Sequence, residues 1–361
     1  MFALDLAGAL ARDRSWEVSL LSLFGVDRSY ASAAAGVGVE VVSLKPGMYA
    51  EGFSIRLVQR LWSMIDAGGY RIVQANGAAT LKYLAVARRF SRRPWRLVYR
   101  AIGLGSFWRR GAKRKLVYRW LLSRPDLVVA VSNAVAEDLA FSAKVDPGKI
   151  IVVPNGVEPS RVRGPEDRES ARRALQVAPS EHLLVYVGSL APEKNLSALI
   201  AVVASCRQQG LPVKAVLVGD GPCRGTLLEE VERHRLSDAI HLHPPRAGIG
   251  HFLVAADLCV LPSISEGMPA LLIEAGLAGV PAVAYSVGGV PEVIEHGVTG
   301  MLLQVNDQAA LIQAVAVLLR DGTRRRRMGD AARVRYRQFE IATVAGSYNR
   351  AYGALLSGPQ R

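Results

Sequence analysis

The stretch "DLCVLPSISEGMPALLIEAGLAGVPAVAYS", residues 257–286, alternates between two kinds of segment. DLCVLPS and PAVAYS are short apolar runs, the pattern of strands that are buried on both faces of a sheet. Between them, MPALLIEAGLAG begins at a proline and ends at a glycine, as helices commonly do. A strand, a helix and a second strand in this order predict two parallel strands joined by a crossover helix.

The same alternation extends over the surrounding sequence. Strand-like runs are HLLVYVGSL (182–190) and VKAVLVGDGP (213–222), and helical segments are EKNLSALIAVVASCRQQG (193–210), RGTLLEEVERHRL (224–236), HFLVAA (251–256) and the start of a helix at PEVIEHG (291–297). Apolar strands that alternate with helices imply a parallel sheet covered on both faces. This half of the chain is therefore predicted to form a Rossmann-like domain.

The first half of the chain shows the alternation more loosely. Its strand-like runs are WEVSLLSLFG (16–25), GVEVVSL (38–44), YRIVQANG (70–77), WRLVYRAIG (95–103), DLVVAVS (126–132) and KIIVVPNG (149–156). The segments between them are mostly helical, which predicts a second doubly wound sheet. The fold class is accordingly predicted as α/β, with two Rossmann-like doubly wound parallel-sheet domains facing a cleft.

The domain boundary is predicted in the polar segment 157–173, which two prolines interrupt. We place one domain at residues 1–160 and the other at residues 161–341. A final helix over residues 342–361 is compatible with packing back on the first domain. The opening segment, MFALDLAGALARD, reads as a helix, although a doubly wound domain normally starts with a strand. We expect the first strand to be missing from this sequence and favour an upstream segment that supplies it.

Composition and charge limit the binding partners, the compartment and the metal sites that this sequence is compatible with. The formal net charge of +14 favours partners that carry phosphate, on nucleotides, nucleic acid or an anionic bilayer. Cys206, Cys223 and Cys259 show no disulfide or zinc spacing, and a reducing cytoplasm fits them best. His241 and His243 alternate on an expected strand without a third ligand nearby, so no metal site is predicted. The sequence has no transmembrane run and no typical signal peptide.

Two carboxylates flank the helix that is expected to start at Pro269. Glu266 lies in the loop before it, and Glu274 lies inside it. The N–H groups at the start of this helix are a natural anion seat, formed by Gly267, Met268, Ala270 and Leu271 around Pro269. The carboxylates would then accept hydroxyl groups on either side of a bound diphosphate. The alternative is that each glutamate only caps the helix or faces solvent.

Residues 261–303, LPSISEGMPALLIEAGLAGVPAVAYSVGGVPEVIEHGVTGMLL, resemble the signature of the retaining glycosyltransferases of family 4, which have the GT-B fold and use nucleotide sugars. VGSLAPEKNLSALI resembles a second signature of that family. AVSNAVAEDL and KIIVVPNGVEP match its interdomain segments, with Asn155 and Gly156 at the entrance to the hinge. The resemblance covers about residues 70–305 and is strongest from 183 to 303.

The resemblance implies roles for particular residues. Glu266 would contact the transferred sugar, Glu274 the ribose, and Lys194 the diphosphate. Since the leaving group is an anion, Lys194 and the helix N–H groups would stabilise its charge, and we name Glu266 and Lys194 as the catalytic candidates. The first domain would bind the acceptor and the second the nucleotide sugar. Neither a metal nor another cofactor is expected, and retention of anomeric configuration is implied by the family.

The sequence also departs from the family pattern. Ser189, beside Gly188 in the expected donor loop, stands where the family usually has an arginine that binds the diphosphate. Arg100 or Arg246 could supply that charge. Asn76 stands where the family tends to have a histidine. The residues assigned to the acceptor side are Asn76, Arg100 and Gly103.

Residues 88–124 form a basic belt that holds thirteen Arg or Lys residues and no acidic residue. Its interleaved aromatic residues are Trp95, Phe107, Trp108, Tyr118 and Trp120. The combination favours an anionic membrane surface, whereas nucleic-acid binding is disfavoured because no recognised motif is present. A solvated basic face is the remaining alternative.

The sequence therefore predicts a glycosyltransferase at the cytoplasmic face of the cell membrane, acting on a lipid-linked or polysaccharide acceptor. The donor would be a UDP- or GDP-linked sugar. A second hypothesis is a truncated or catalytically weak relative that binds a nucleotide sugar or an anionic membrane without turnover.

Overall fold

The computed structural model describes residues 2–13, 16–23, 34–44, 53–105, 111–162, 167–246 and 248–358. The chain divides into two compact units, one made of Met1–Gly156 with Ile341–Arg361 and the other of Val157–Glu340. The final helix therefore belongs to the first unit.

Strands and helices alternate through both units. The strands are β1 (Ser19–Ser22), β2 (Glu40–Ser43), β3 (Ile72–Asn76), β4 (Arg96–Ala101), β5 (Leu127–Ala130), β6 (Ile150–Val152), β7 (His182–Val187), β8 (Val213–Val218), β9 (Ile240–His243), β10 (Leu258–Leu261), β11 (Ala282–Tyr285) and β12 (Gly300–Leu303). The helices are α1 (Phe2–Arg12), α2 (Ile55–Gly68), α3 (Ala78–Ala87), α4 (Ala112–Leu122), α5 (Asn133–Phe141), α6 (Arg168–Ala174), α7 (Leu196–Gln208), α8 (Arg224–Arg233), α9 (Gly250–Ala255), α10 (Ala270–Leu277), α11 (Gln308–Arg320), α12 (Gly322–Arg335) and α13 (Ile341–Ser357).

In the first unit, each of the six strand-like runs contains an observed strand. β1 and β2 pair in parallel, and a separate parallel sheet has the order β3-β4-β5-β6. A core of apolar side chains joins α1 and α13 to β4, β5 and the residue after β6; it includes Leu6, Leu10, Val98, Val129, Val153, Ile341, Val344, Tyr348 and Tyr352. A Cβ atom at Gly156 would lie 2.7 Å from Cδ1 of Ile341 at the start of α13, so only glycine fits this approach.

The second unit contains one parallel sheet of six strands in the order β12-β11-β10-β7-β8-β9. Numbered within the unit this is 6-5-4-1-2-3, the doubly wound order of dinucleotide-binding domains. The strands are buried because their residues are almost all apolar and helices cover them; every residue of β10 and β11 is buried. The Rossmann-like fold predicted for this half is confirmed.

One element prediction in this unit is wrong. PEVIEHG was expected to start a helix, but the structure has only a short 3₁₀ turn, Val290–Glu292. The Thr299 hydroxyl accepts the N–H of Glu295 at 2.9 Å, and Gly297 adopts a left-handed φ of 78°. These two features turn the chain into β12 instead of continuing a helix.

Candidate functional site

The sheet of the second unit has its switch point between β7 and β10. The chain leaves β7 towards β8 on one side and leaves β10 towards β11 on the other, which opens a crevice at the carboxyl ends of these strands. The loops that follow the two strands meet there, since the Ile264 N–H donates to the Glu193 carbonyl oxygen at 2.9 Å. The second unit alone therefore brings together the two signature segments found in the sequence.

Lys194 and Glu266 form an ion pair at this crevice. Lys194 ends a 3₁₀ turn, Pro192–Lys194, and Asn195 then reverses the chain with a left-handed φ of 50° before α7. The Lys194 Nζ atom lies 2.8 Å from Oε1 of Glu266, and their side chains are 18% and 7% exposed. The charge of the nearly buried carboxylate is thus balanced by the Lys194 ammonium group, which has three N–H donors and can contact a second anion while the pair stays formed.

Helix α10 begins beside this pair. Pro269 is the N-cap residue, with extended backbone torsions of −73° and 117°. Because proline has no N–H, it adds no further unpaired donor at the helix start, where several N–H groups already lack an intrahelical partner. The first-turn N–H groups, including those of Ala270 and Leu271, have no acceptor within the helix. Gly267 and Met268 are both buried and link Glu266 to Pro269. The predicted anion seat and the predicted lysine therefore lie in the same crevice.

Glu274 lies one turn inside α10 and is 6% exposed. Its Oε1 atom accepts a hydrogen bond from Nη2 of Arg161 at 3.0 Å. Arg161 ends another 3₁₀ turn, Pro159–Arg161, near the start of the second unit. Sequence reasoning missed this partner because nothing in the spacing links an arginine in the hinge segment to a glutamate more than a hundred residues later.

Gly288 was also missed. It follows β11 with a left-handed φ of 50°, and a Cβ atom there would lie 1.8 Å from the Glu266 carbonyl oxygen. The loop after β11 thus fixes the backbone of the Glu266 loop from the other side. The GG pair in SVGGVP was the available signal, because paired glycines after a strand often mark a tight turn.

We therefore expect Gly288→Ala to displace the Glu266 loop. Both the left-handed backbone and the clash oppose the new methyl group, so the free energy of unfolding should fall by roughly 1–3 kcal/mol and donor affinity with it. Gly225→Ala is the matched control, because a Cβ atom there meets nothing within 4 Å. Urea denaturation and donor titration of the two variants test this, and equal behaviour would contradict it.

Two family models match the chain consecutively. "Glycosyltransferase Family 4" matches residues 1–161, and "Glycosyl transferases group 1" matches residues 167–335. The chain belongs to glycosyltransferase family 4.

Among curated relatives of this family 4 protein, N-acetyl-alpha-D-glucosaminyl L-malate synthase of Bacillus anthracis is 29% identical over 66% of the chain and 62% of its own length. D-inositol 3-phosphate glycosyltransferase of Nocardia farcinica is 31% identical over 67% of the chain and 56% of its own length. The chain thus spans less than two thirds of either relative. The structure of Anabaena HepE in complex with UDP-glucose is similar with a TM-score of 0.83 and 25% identity, covering 98% of this chain and 95% of that one.

Ser189, the family 4 position where an arginine is expected, lies at the end of β7 with its side chain exposed. Its carbonyl oxygen accepts the Tyr186 hydroxyl at 2.8 Å. Burial and the nearby carboxylates of Glu266 and Glu193 raise the pKa of Tyr186, so the hydroxyl stays a donor. A Cβ atom at Gly188 would lie 2.8 Å from that hydroxyl oxygen, which explains the glycine.

Arg246 belongs to the loop that follows β9 in the second unit. It is exposed and follows β9, the edge strand two positions from β7 in the sheet, a separation of roughly 10 Å. The hypothesis that Arg246 supplies the missing arginine charge stays a prediction.

The acceptor-side residues all belong to the first unit. Asn76 and Arg100 are register partners at the carboxyl ends of β3 and β4, and Gly103 follows β4. Arg100 is 5% exposed; its guanidinium stacks 3.6 Å from the centroid of the Phe2 ring and donates to the Asn155 side chain. Burial lowers the pKa of Arg100. Arg100 is thus already engaged inside its own unit.

Asn76 lines a large apolar cavity in the first unit. The cavity measures about 570 Å³ and lies between β1, β3, α1 and α2. The Asn76 Oδ1 atom accepts from Nε2 of Gln74 at 3.1 Å, and Gln74 Oε1 in turn accepts the Tyr352 hydroxyl at 2.6 Å. The asparagine is therefore part of a hydrogen-bonded chain that ends on α13.

The basic belt divides into core and surface residues. Trp95 and Tyr118 are 4% and 7% exposed and pack in the core, so these two aromatic side chains do not contribute to the surface of the belt. Trp120 is exposed and lies under the Arg124 guanidinium at 4.6 Å. Phe107 and Trp108 lie outside the described residues. Within the part of the chain that the structure describes, no helix is both long and apolar enough to cross a bilayer.

Proposed function

We propose that the protein transfers a sugar from a nucleotide-sugar donor to a hydroxyl group of an acceptor, with retention of anomeric configuration. The observation that carries this proposal is the Lys194–Glu266 pair beside the start of α10, at the switch point of a doubly wound sheet. The two curated relatives are named as a synthase and a glycosyltransferase, and HepE was solved with UDP-glucose. These names support the same donor class for this chain.

The proposed chemistry follows from the charges in the crevice. Cleavage of the bond between the sugar and the diphosphate leaves negative charge on the departing oxygen, which Lys194 and the first N–H groups of α10 would stabilise. The Lys194 ammonium group has three N–H donors, so it could donate to a phosphate oxygen while it stays paired with Glu266. The lone pairs of the Glu266 carboxylate that Lys194 does not use could accept hydroxyl groups of the sugar and position its ring. This scheme uses no metal and no further cofactor.

Glu274 is proposed to accept hydroxyl groups of the donor's ribose. Arg161 orients this carboxylate and offsets its charge, which would otherwise repel the diphosphate at the helix start. Because Arg161 donates to Oε1 of Glu274, only the remaining lone pairs of this carboxylate would accept hydrogen bonds from the ribose hydroxyl groups.

We propose a glycan or glycolipid acceptor and a site of action at the cytoplasmic face of the membrane. Support comes from the exposed basic side chains within residues 88–124 and from three cysteines that are free thiols. Ser189 favours the second candidate, a protein that binds nucleotide sugars without turnover, because an exposed hydroxyl replaces the expected cation.

A donor assay separates the two candidates. We expect release of UDP or GDP from one of a panel of nucleotide sugars, measured with and without hydroxyl acceptors, together with donor binding by calorimetry. In Glu274→Ala, donor affinity should fall by roughly tenfold or more, because a charge-assisted hydrogen bond is lost. Tight binding without nucleotide release would favour the non-catalytic candidate. Absence of binding to every donor would contradict both.

A further inference from the structure

The first unit contains a second pocket, which is lined mainly by guanidinium groups. It measures about 420 Å³ and includes five arginines around a tryptophan, namely Arg71, Arg88, Arg92, Arg93, Arg96 and Trp95. Arg71 immediately precedes β3, and Arg96 is the first residue of β4. The pocket therefore lies at the amino ends of these strands, at the opposite edge of the sheet from Asn76 and Arg100.

The loop that carries Arg92 and Arg93 is held in place. The Asp66 carboxylate, near the end of α2, accepts the Arg92 N–H at 3.0 Å and also the Ser91 hydroxyl. These hydrogen bonds lower the pKa of Asp66. The Trp95 indole N–H donates to the Ser91 oxygen at 3.0 Å while its ring is buried. The pocket wall is thus fixed by contacts that do not use the guanidinium groups of Arg92 and Arg93.

Positive charge exceeds negative charge around this pocket. Arg88 pairs with Asp126 at 2.9 Å, and Asp126 also accepts the Leu97 N–H at 2.7 Å. Arg96 donates to the Gly358 carbonyl oxygen at 3.1 Å. Arg71, Arg92 and Arg93 are exposed at the pocket. Among the described residues around the pocket, two carboxylates, Asp66 and Asp126, are thus set against five guanidinium groups, and both already accept hydrogen bonds from other donors.

We propose that this pocket binds a phosphate-bearing group. Five arginines line one pocket whose wall is fixed, and guanidinium groups provide the planar, bidentate donors that phosphate oxygens favour. The group could come from a free phosphorylated molecule or from a phospholipid headgroup at a membrane surface, since both present the same oxygens. The site is separate from the donor crevice of the second unit and does not depend on the proposed transfer reaction.

The pocket fits nucleic acid less well. Proteins that bind single strands combine basic side chains with exposed aromatic rings on which bases stack. The aromatic ring in this pocket belongs to Trp95, which is 4% exposed and covered by Arg88 at 5.6 Å from its centroid. A base therefore has no open aromatic face here, although a phosphate can still reach the guanidinium groups.

The test uses the full chain and three probes, namely inorganic pyrophosphate, lipid vesicles and a single-stranded oligonucleotide. Inorganic pyrophosphate is titrated by calorimetry in a Lys194→Ala background, which removes the proposed diphosphate ligand of the donor crevice. Vesicles of phosphatidylcholine with and without phosphatidylglycerol are tested by sedimentation. The pocket variant is Arg92→Ala/Arg93→Ala, and the matched control is Arg326→Ala/Arg327→Ala, which removes two exposed arginines from α12.

We expect the pocket variant to weaken pyrophosphate binding, or binding to the anionic vesicles, by roughly tenfold or more, while the control changes either by less than about twofold. A loss with pyrophosphate alone points to a free ligand, and a loss with the vesicles alone points to a headgroup. Equal losses in both double variants, no binding of either probe, or a pocket-dependent loss seen only with a single-stranded oligonucleotide would overturn the proposal. Donor turnover with a soluble acceptor should not change in the pocket variant.

Discussion

Lys194→Ala is expected to lower the kcat of sugar transfer by roughly 100- to 1,000-fold, the usual cost of removing one group that stabilises charge in a transition state. The Lys194 Nζ atom lies 2.8 Å from Glu266 Oε1 at the start of α10. Loss of the ammonium removes a positive charge from the departing diphosphate. It also leaves the buried Glu266 carboxylate without this partner, which adds repulsion towards the same anion. Initial rates at saturating donor, with a thermal melt of each variant, measure the effect.

The chain offers a matched control for this variant. Lys214 also pairs with a glutamate, Glu181, at 3.1 Å in the same unit, and its side chain is 15% exposed. Lys214 lies near the amino end of β8, at the edge of the sheet away from the crevice. Lys214→Ala should therefore leave kcat within about twofold of the wild type, and Lys194→Arg should recover part of the lost rate because it restores the charge. Equal kcat values for both alanine variants would refute the assignment of Lys194.

Most of the fold could be predicted from the sequence because the strands of both units are short apolar runs, each of which can be recognised separately. Helix α10 could also be recognised, since Pro269 precedes it and Gly279 follows it. The prediction of a helix at residues 291–297 was wrong. The spacing of its apolar residues over one turn is typical of a helix, but the Thr299 hydroxyl and Gly297 turn the chain there. Local patterns do not encode such a competition between a helix and a side-chain cap.

The candidate site was predictable where its residues share one segment. Glu266 and Glu274 stand eight positions apart around Pro269, and the resemblance then added Lys194. Arg161 and Gly288 were not predictable because their relation to the glutamates exists only after the sheet has assembled. Similarly, the charge of the basic belt was visible in the sequence, but the burial of Trp95 and Tyr118 depends on tertiary packing.

Asp257→Asn is expected to destabilise the second unit by roughly 3–5 kcal/mol, the range observed when one partner of a buried ion pair is removed. Asp257 precedes β10 and is 9% exposed. Its carboxylate lies 2.9 Å from Arg168 Nη2, 3.2 Å from Arg172 Nη1 and 3.3 Å from Arg325 Nη2. It also accepts the Leu183 N–H at 2.9 Å, and so connects α6 and α12 to the amino end of β7.

The asparagine keeps the shape of the side chain but leaves three guanidinium groups close together without their shared negative charge. Asp238→Asn is the control, because the Asp238–Arg207 pair at 2.8 Å is 64% and 34% exposed and should contribute no more than about 1 kcal/mol. Urea denaturation of both variants measures the difference. Because Asp257 lies at the edge of the sheet opposite the donor crevice, the folded fraction of Asp257→Asn should bind donor with unchanged affinity. A loss of stability no larger than that of the control would mean that the backbone carbonyls bonded to these arginines, and not Asp257, hold the cluster together.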